Sequence, residues 1–224
     1  MDAFIFFLSL LPGVAWLFFY LQEDCHPEPK HLLLLVFIAG AASAFVAYFA
    51  QVNSMHWLGR LGIENFSPLS LFLLAGIEEM SKFGAVWLAV HRNAEFDEPV
   101  DAMVYMVVAA LGFATVENLG ALTNHNAYLG GIGEALQTTS LRFVGATLLH
   151  TLSSALIGYY WSLSIRTFNT KRFLVFGIGA ATALHAIFNY LILRYDDLSY
   201  ALLFVVIVGF FILSDFEKLR GKVV

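Results

Sequence analysis

Long apolar segments constrain the fold of this 224-residue chain more than any other feature of its sequence. A helix needs roughly 20 apolar residues to cross the hydrocarbon core of a bilayer. Segments of about this length recur along the whole chain, and we place them at 3–21, 32–52, 67–90, 100–122, 141–165, 173–194 and 198–214. Because helices satisfy their own backbone groups in lipid, the pattern predicts an all-α, polytopic transmembrane bundle of about seven spans.

The composition agrees with a membrane protein and argues against a soluble one. Charged residues make up 13% of the chain and hydrophobic residues 59%, whereas about 25% of the residues in a typical soluble domain are charged. We therefore expect residues 1–224 to form one integral membrane domain in contact with the bilayer. The net charge of -5 offers no basic surface, and nucleic acid is not an expected partner.

Lysine and arginine predict the orientation of the bundle, since they concentrate in cytoplasmic loops. With the N-terminus outside, the outer loops would hold only Arg60, Arg142 and Arg194. The cytoplasmic side would hold the larger set, which is Lys30, Arg92, Arg166, Lys171, Arg172, Lys218, Arg220 and Lys222. This distribution favours an N-terminus outside and a C-terminus inside.

Five acids and histidines lie well inside the apolar segments, namely Glu78, Glu79, Glu117, His150 and His185, and Lys82 accompanies the first two. A charge near the bilayer centre costs roughly 2.5–3.5 kcal/mol even on the mildest scale, so these groups must face a polar interior. At 1.5 Å per residue, Glu78, Glu117, His150 and His185 would lie roughly 17, 8, 14 and 14 Å below the outer boundary. The spacing therefore predicts that they meet at a similar depth.

Helical spacing suggests partners for these groups. Glu78 and Lys82 share a face at i, i+4, which predicts that they pair, while Glu79 points about 100° away. The same spacing places Ser154 beside His150 and Asn189 beside His185. Asp101, at the inner end of the fourth segment, is expected either to cap its helix or to pair with Lys82.

The group of acids and imidazoles is compatible with two chemistries. Zinc takes His nitrogens and Glu oxygens and keeps a position open for water. Alternatively, a carboxylate activates water while His and Asn donate to a developing oxyanion. We expect residues 123–140 to form an outer loop, either a plain connector or a lid over the site.

Several motifs occur together in a fixed order. They are Pro27-Glu28-Pro29-Lys30, Phe37 to Gly40, Glu78-Glu79-x-x-Lys82, Asp101 followed by Tyr105, Gly112 to Asn118, Arg142 to His150, and His185-x-x-Phe188-Asn189. This ordered set resembles the PrsW family of intramembrane proteases, a distant branch of the superfamily that includes the CAAX prenyl endopeptidases. In the CAAX-type pattern an Arg follows the paired glutamates after three other residues, whereas in this chain Lys82 follows them after two. The CAAX-type pattern also has His at the position that Glu117 occupies here. A prenyl-protein substrate is therefore not implied.

The resemblance implies an endopeptidase of a prokaryotic plasma membrane that cleaves single-span membrane proteins, such as an anti-sigma factor, on the extracytoplasmic side. Glu78 or Glu79 would activate water. In the metal version Glu117, His150 and His185 would bind zinc, and in the metal-free version His185 and Asn189 would stabilise the oxyanion. Lys82, Asp101 and Asn118 are expected to support the site.

Other functions use similar residues. A proton-coupled transporter or channel carries intramembrane Glu and His, but commonly shows two repeated halves with broken spans, which the sequence lacks. A haem protein could use His150 and His185 as axial ligands. A catalytically silent membrane scaffold is the remaining alternative, because a fold can persist without its chemistry.

Overall fold

The computed structural model describes residues 2–22, 27–124, 130–166, 170–195 and 197–220, and all regular structure within these ranges is helical. The predicted all-α bundle is confirmed. In chain order the helices are α1 (Asp2–Leu21), α2 (Lys30–Arg60), α3 (Pro68–Val90), α4 (Asp101–Thr123), α5 (Gly131–Arg142), a π-helical turn (Phe143–Thr147), α6 (Leu148–Arg166), α7 (Thr170–Arg194) and α8 (Ser199–Arg220).

Five helical stretches among the described residues are long and apolar enough to cross a membrane. They are Ala3–Leu21, Lys30–Arg60, Asp101–Thr123, Gly131–Arg166 and Lys171–Arg194. Helix α3 has the length, but Glu78, Glu79 and Lys82 interrupt its apolar sequence. The apolar part of α8 is shorter, Ser199–Ile212. The three charged residues thus distinguish the sequence of α3 from those of the other long helices.

Local signals explain where α3 begins. Ser67 precedes the helix in an extended conformation, and its side chain accepts a hydrogen bond from the backbone N–H of Ser70 at 3.3 Å. Pro68 occupies the first helical position, where its missing N–H costs nothing. This N-cap fixes the start of α3 about three turns before Glu78.

Helix α4 lies at the centre of the bundle. Every residue from Asp101 to Thr115 is buried, and α4 packs against α1, α2, α3 and α6. Its backbone touches that of α2: a Cβ on Gly112 would lie 2.0 Å from the carbonyl oxygen of Phe37, and one on Gly40 would lie 2.0 Å from that of Ala109. Only glycine permits this approach. The two helices are thereby held in backbone contact next to the polar site.

The predicted outer loop at 123–140 is wrong over its second half. Residues 131–142 form α5, which continues through the π-helical turn into α6 as one stretch from Gly131 to Arg166. Residues 125–129 of that predicted loop lie outside the described residues. The sequence from Gly131 to Arg142 is less apolar than the spans, and it therefore gives no signal of a membrane helix.

The π-helical turn brings Arg142 and His150 onto one face. Eight residues of a regular helix would separate their directions by about 80°. A π turn takes up one additional residue. The eight residues from Arg142 to His150 therefore turn about the axis as seven residues of a regular helix would, and the directions of the two side chains differ by only about 20°. Both side chains consequently reach the same acid, Glu117.

Candidate active site

Four helices bring the intramembrane polar residues together. Glu78, Glu79 and Lys82 come from α3, Glu117 from α4, His150 from α6 and His185 from α7. Glu79 and Lys82 are 0% exposed, and the two histidines 2%. Helices that are distant in the sequence therefore converge on one buried cluster, as their calculated depths suggested.

Glu79 is the most heavily bonded acid of the cluster. Its Oε1 accepts from Lys82 Nζ at 2.7 Å, from His185 Nδ1 at 2.7 Å and from Ser153 Oγ at 2.9 Å. Ser154 Oγ donates to Oε2 at 3.4 Å. A buried ion pair is tolerated when hydrogen bonds satisfy its remaining sites, and Glu79 meets that requirement.

Two predicted pairings are therefore wrong. Lys82 pairs with Glu79 at i, i+3 and not with Glu78 at i, i+4, because Glu78 turns towards α2 while Glu79 and Lys82 turn towards α6 and α7. Ser154 bonds Glu79 and not His150. Spacing along one helix predicts which side chains lie near each other, but the packing of the adjacent helices determines which of them form hydrogen bonds.

Glu78 is held on one side and unbonded on the other. Its Oε1 accepts from Gln51 Nε2 at 2.6 Å, and the same nitrogen donates to the carbonyl oxygen of Leu74 at 3.2 Å. Its Oε2 is buried and has no hydrogen-bond partner among the described residues. Buried polar atoms are nearly always bonded, so this oxygen is positioned for a group from outside the chain.

Gln51 is a site residue that the sequence analysis missed. It lies on α2 and fixes which oxygen of Glu78 faces the site. The only signal in the sequence is an amide side chain near the end of the second apolar segment. An uncharged amide there is a weaker indication of a site than an ionisable group.

His185 faces both acids of α3. Its Nδ1 is 2.7 Å from Glu79 Oε1 and its Nε2 is 3.5 Å from Glu78 Oε2. Since the carboxylate of Glu79 accepts, a hydrogen lies on Nδ1, and Nε2 faces Glu78. The predicted contact between His185 and Asn189 is wrong in this geometry, because both ring nitrogens address the acids.

His150 lies between Lys82 and Glu117. Lys82 Nζ is 3.3 Å from His150 Nδ1, and His150 Nε2 is 2.8 Å from Glu117 Oε2. Because the Lys82 ammonium can only donate, it places the ring hydrogen on Nε2, which then donates to Glu117. A chain of hydrogen bonds thus runs from Glu79 through Lys82 and His150 to Glu117.

Arg142 and Asn118 hold Glu117 from the other side. Arg142 Nη2 is 3.1 Å from Glu117 Oε2, and its Nε donates to Asn118 Oδ1. Asn118 Nδ2 in turn donates to Thr147 Oγ1 at 3.3 Å, within the π-helical turn. Asn118 thus lies next to the cluster. Arg142, which the charge distribution assigned to an outer loop, lies in a helix and contacts the site.

Asp101 lies at the far end of α4, away from this cluster. Its Oδ2 accepts from the backbone N–H groups of Asp97 at 3.0 Å and Glu98 at 2.7 Å. Both predicted roles are wrong: Asp101 bonds N–H groups of the segment before α4, so its side chain does not cap the helix, and it does not pair with Lys82. Sixteen residues of helix place Asp101 roughly 24 Å from Glu117.

A pocket of about 330 Å³ opens onto the cluster. Its polar lining is Gln51, Glu78, Glu117, Arg142, His150, His185 and Asn189, and its apolar walls include Phe66, Leu71, Leu74, Leu149, Phe188, Ile192 and Leu193. Glu79 and Lys82 do not line it. The pocket therefore exposes Glu78, Glu117 and both imidazoles to a ligand, while the Glu79–Lys82 pair supports them from behind.

Three of the lining residues could hold a metal ion. Glu78, His150 and His185 each offer one ligand atom, and these atoms lie within 4.8 Å of one another. Two imidazole nitrogens and a carboxylate oxygen form a common protein ligand set of catalytic zinc. The sequence-based set had Glu117 in place of Glu78. Glu117 is instead bonded to His150 and Arg142, and its role as a ligand stays a prediction.

Comparisons of the whole sequence with known proteins found relatives of the chain. A family model described as "PrsW family intramembrane metalloprotease" matches residues 28–214. The chain is 28% identical over 217 residues to "Protease PrsW" of Geobacillus kaustophilus, covering 95% of this chain and 91% of the relative. Over 218 residues it is 28% identical to "Protease PrsW" of Bacillus subtilis, covering 95% and 94% of the two chains. No solved structure matches the chain.

Proposed function

The chain belongs to the PrsW family of intramembrane metalloproteases, and from this premise we propose that its pocket hydrolyses a peptide bond of a membrane-anchored protein with Glu78, His150 and His185 as ligands of a zinc ion. The observation that carries this proposal is the unbonded Oε2 of Glu78, which lies among the ligand atoms of both histidines. The residues present fit a divalent metal, since they supply three ligand atoms and a pocket for water.

A divalent ion bound here would act as a Lewis acid on the peptide carbonyl and would lower the pKa of a water molecule. The residues around the ligands prepare them for that purpose. Gln51 holds Oε1 of Glu78 and so directs Oε2 to the site. Glu79 fixes the tautomer of His185, leaving the lone pair of Nε2 available.

His150 is prepared in a different way. Its Nε2 donates to Glu117 in this structure, so His150 can offer that nitrogen as a ligand only after losing the hydrogen and the bond to Glu117. Glu117, once released, stays beside Arg142 at the edge of the pocket.

We assign general-base catalysis to Glu117. Its side chain is 32% exposed and lines the pocket. As water attacks the carbonyl carbon, Glu117 accepts the proton, and the same carboxyl group then donates it to the leaving amine nitrogen as the C–N bond breaks. The side-chain amide of Asn189, also in the lining, is available to donate to the oxygen that becomes negative.

The apolar walls indicate the kind of substrate. Phe66, Leu71, Phe188 and Ile192 suit a segment whose side chains are apolar next to the scissile bond. We propose single-span membrane proteins such as anti-sigma factors, cleaved on the extracytoplasmic side of a prokaryotic plasma membrane. The distribution of Lys and Arg supports this side, because it places the C-terminal ends of α4 and α7, which contribute Glu117 and Asn189, at the outer face.

The alternative functions lose support. A transporter predicts no protease family, whereas the family match covers most of the chain. A silent scaffold is compatible with that match, but it gives no reason for three ligand atoms gathered around an unbonded carboxylate oxygen. The haem hypothesis is wrong on geometry: the ring centroids of His150 and His185 are 5.0 Å apart, which leaves no room for a macrocycle between them.

Metal analysis of detergent-purified protein, prepared without chelators or metal-affinity resin, tests the ligand assignment. We expect about one zinc per chain and its loss in His150→Ala and Glu78→Gln. His56→Ala and Glu64→Gln are matched controls, because both residues are exposed and lie outside the pocket. Metal that persists in the site variants, or wild-type protein that cleaves a reconstituted single-span reporter without any metal, would contradict it.

A further inference from the structure

A second pocket lies at the opposite end of the bundle from the proposed active site. It has a volume of about 380 Å³ and is formed where α3 ends, where the segment from residue 91 to 100 runs into α4, and where α6 ends. The lining is unlike that of a purely apolar cavity, because aromatic rings and carboxylates occur together in it. Its main members are Trp87, His91, Phe96, Asp97, Glu98 and Trp161.

The aromatic rings are held in place by one another. Trp161 lies 5.0 Å from Phe96 and contacts Phe83 edge to face at 5.3 Å. His91 stacks on Trp87 with centroids 3.9 Å apart, and Trp87 remains 43% exposed. The faces of such rings carry partial negative charge and attract cations, and Trp is the most effective of them.

The charges around the pocket favour the same sign of ligand. Asp97 and Glu98 supply two carboxylates to its lining. Helices α3 and α6 both end here, so the partial negative charge of their C-termini adds to the field. The opposite charge at the start of α4 is offset by Asp101, which accepts from the backbone of Asp97 and Glu98. Rings, carboxylates and helix ends together select a cation.

The surroundings of the pocket indicate where that cation comes from. Arg92 and Arg166 directly follow His91 and Ile165, which line it. Both arginines thus begin one residue from the lining, at the level where the helices end, although neither is itself a lining residue. A zwitterionic phospholipid has the complementary arrangement, with an ammonium next to a phosphate, and its headgroup lies at the membrane boundary. A bare metal ion or an isolated ammonium would leave both arginines without a counterpart.

We propose that this pocket binds the ammonium of a zwitterionic phospholipid headgroup, with Arg92 and Arg166 near its phosphate. The rings surround the ammonium and Asp97 neutralises it. The site is separate from the protease chemistry, since it lies at the other end of α4. It gives the protein a specific lipid contact on the face predicted to be cytoplasmic.

Two measurements test the proposal. In an uncharged maltoside detergent, tetramethylammonium should change the tryptophan fluorescence saturably, since two of the four tryptophans line the pocket. Asp97→Asn should weaken this binding roughly fivefold or more. Glu95→Gln is the matched control, because it removes the same charge from the same segment outside the lining, and it should leave binding unchanged.

Native mass spectrometry in mixed nanodiscs identifies the lipid. We expect phosphatidylethanolamine to be retained over phosphatidylglycerol of the same chain length, and this preference to fall in Asp97→Asn and in Arg92→Gln, while Arg92→Gln keeps its affinity for tetramethylammonium. Absence of saturable tetramethylammonium binding would overturn the cation pocket. Equal retention of the two lipids would overturn the phospholipid assignment. Neither result affects the proposed protease function, which depends on the other pocket.

Discussion

Helix α4 carries a buried polar cluster at each end, and the two clusters differ in how completely their atoms are bonded. At the inner end, Asp101 accepts two backbone N–H groups and Tyr105 donates to the buried carboxylate of Glu28. At the outer end, Glu117 borders an open pocket, across which Oε2 of Glu78 has no partner among the described residues. Both clusters are costly to bury. In the inner cluster, hydrogen bonds within the protein offset the free-energy cost of burial. In the outer cluster, one buried oxygen has no such bond and is available to a ligand.

This difference separates residues whose loss should reduce activity from residues whose loss should reduce stability. Glu117 and Asp101 lie on the same helix and are both acidic, so they provide the sharpest contrast.

Replacing Glu117 with Gln should lower the rate of proteolysis by about 10²–10⁴-fold, as expected for loss of a general base. The amide retains an acceptor for Arg142, so the melting temperature should stay close to that of the wild type. Cleavage of a single-span reporter in proteoliposomes, beside thermal unfolding, measures both. Near-normal cleavage would remove Glu117 from the proposed mechanism.

Replacing Lys82 with Met should destabilise the protein by about 3–5 kcal/mol, because Glu79 is left as an uncompensated buried charge. The double variant Lys82→Met with Glu79→Gln removes that charge and should recover part of the loss. Unfolding by denaturant in detergent gives the comparison. If the double variant is no more stable than Lys82→Met, the ion pair is not the source of the effect.

Replacing Gln51 with Leu should weaken metal affinity or activity by about 10–100-fold, the range found for residues that orient a metal ligand. Competition with a fluorescent zinc chelator measures the affinity independently of proteolysis. Asn53→Leu is a suitable control, since Asn53 is an exposed amide on the same helix whose Nδ2 donates to the backbone oxygen of Phe49, one turn earlier. Unchanged zinc affinity and activity in Gln51→Leu would show that the carboxylate of Glu78 does not need Gln51 to hold its orientation.

Replacing Asp101 with Ala should cost about 0.5–1.5 kcal/mol, the net contribution of a typical hydrogen bond, because the backbone N–H groups of Asp97 and Glu98 lose their acceptor. The folded protein should keep its cleavage rate, because Asp101 is far from the pocket. Circular dichroism melts and the reporter assay check the two statements. A large loss of activity at unchanged stability would place Asp101 in the catalytic machinery and break the contrast between the ends of α4.

The fold and the residues that converge in the candidate site could largely be predicted. Each of these residues is an ionisable group in a segment that lipid would otherwise surround. Glu78, Glu79, Glu117, His150 and His185 are ionisable groups within apolar segments, and lipid allows them only one kind of location. The helices themselves follow from segment length. These signals depend on composition, which is local to the sequence.

The pairing within the site was not predictable in the same way. Lys82 was expected at Glu78 but bonds Glu79, because the choice depends on how α3 is rotated against α6 and α7. Gln51 and Ser153 are uncharged and give no signal in an apolar segment. The π-helical turn has an ordinary apolar sequence, Phe143–Thr147, and only the structure shows the change of register that aligns Arg142 with His150.

The backbone contact at Gly40 and Gly112 has a consequence for how the enzyme tolerates its surroundings. Most helices in the bundle are spaced by side chains, which can change rotamer as lipid thickness or temperature changes. Between α2 and α4 at this point there is no side-chain layer to compress, so their separation is set by atomic radii. Gln51 and Glu117 extend from these two helices. The distance across the site is thus insulated from the lateral pressure of the bilayer.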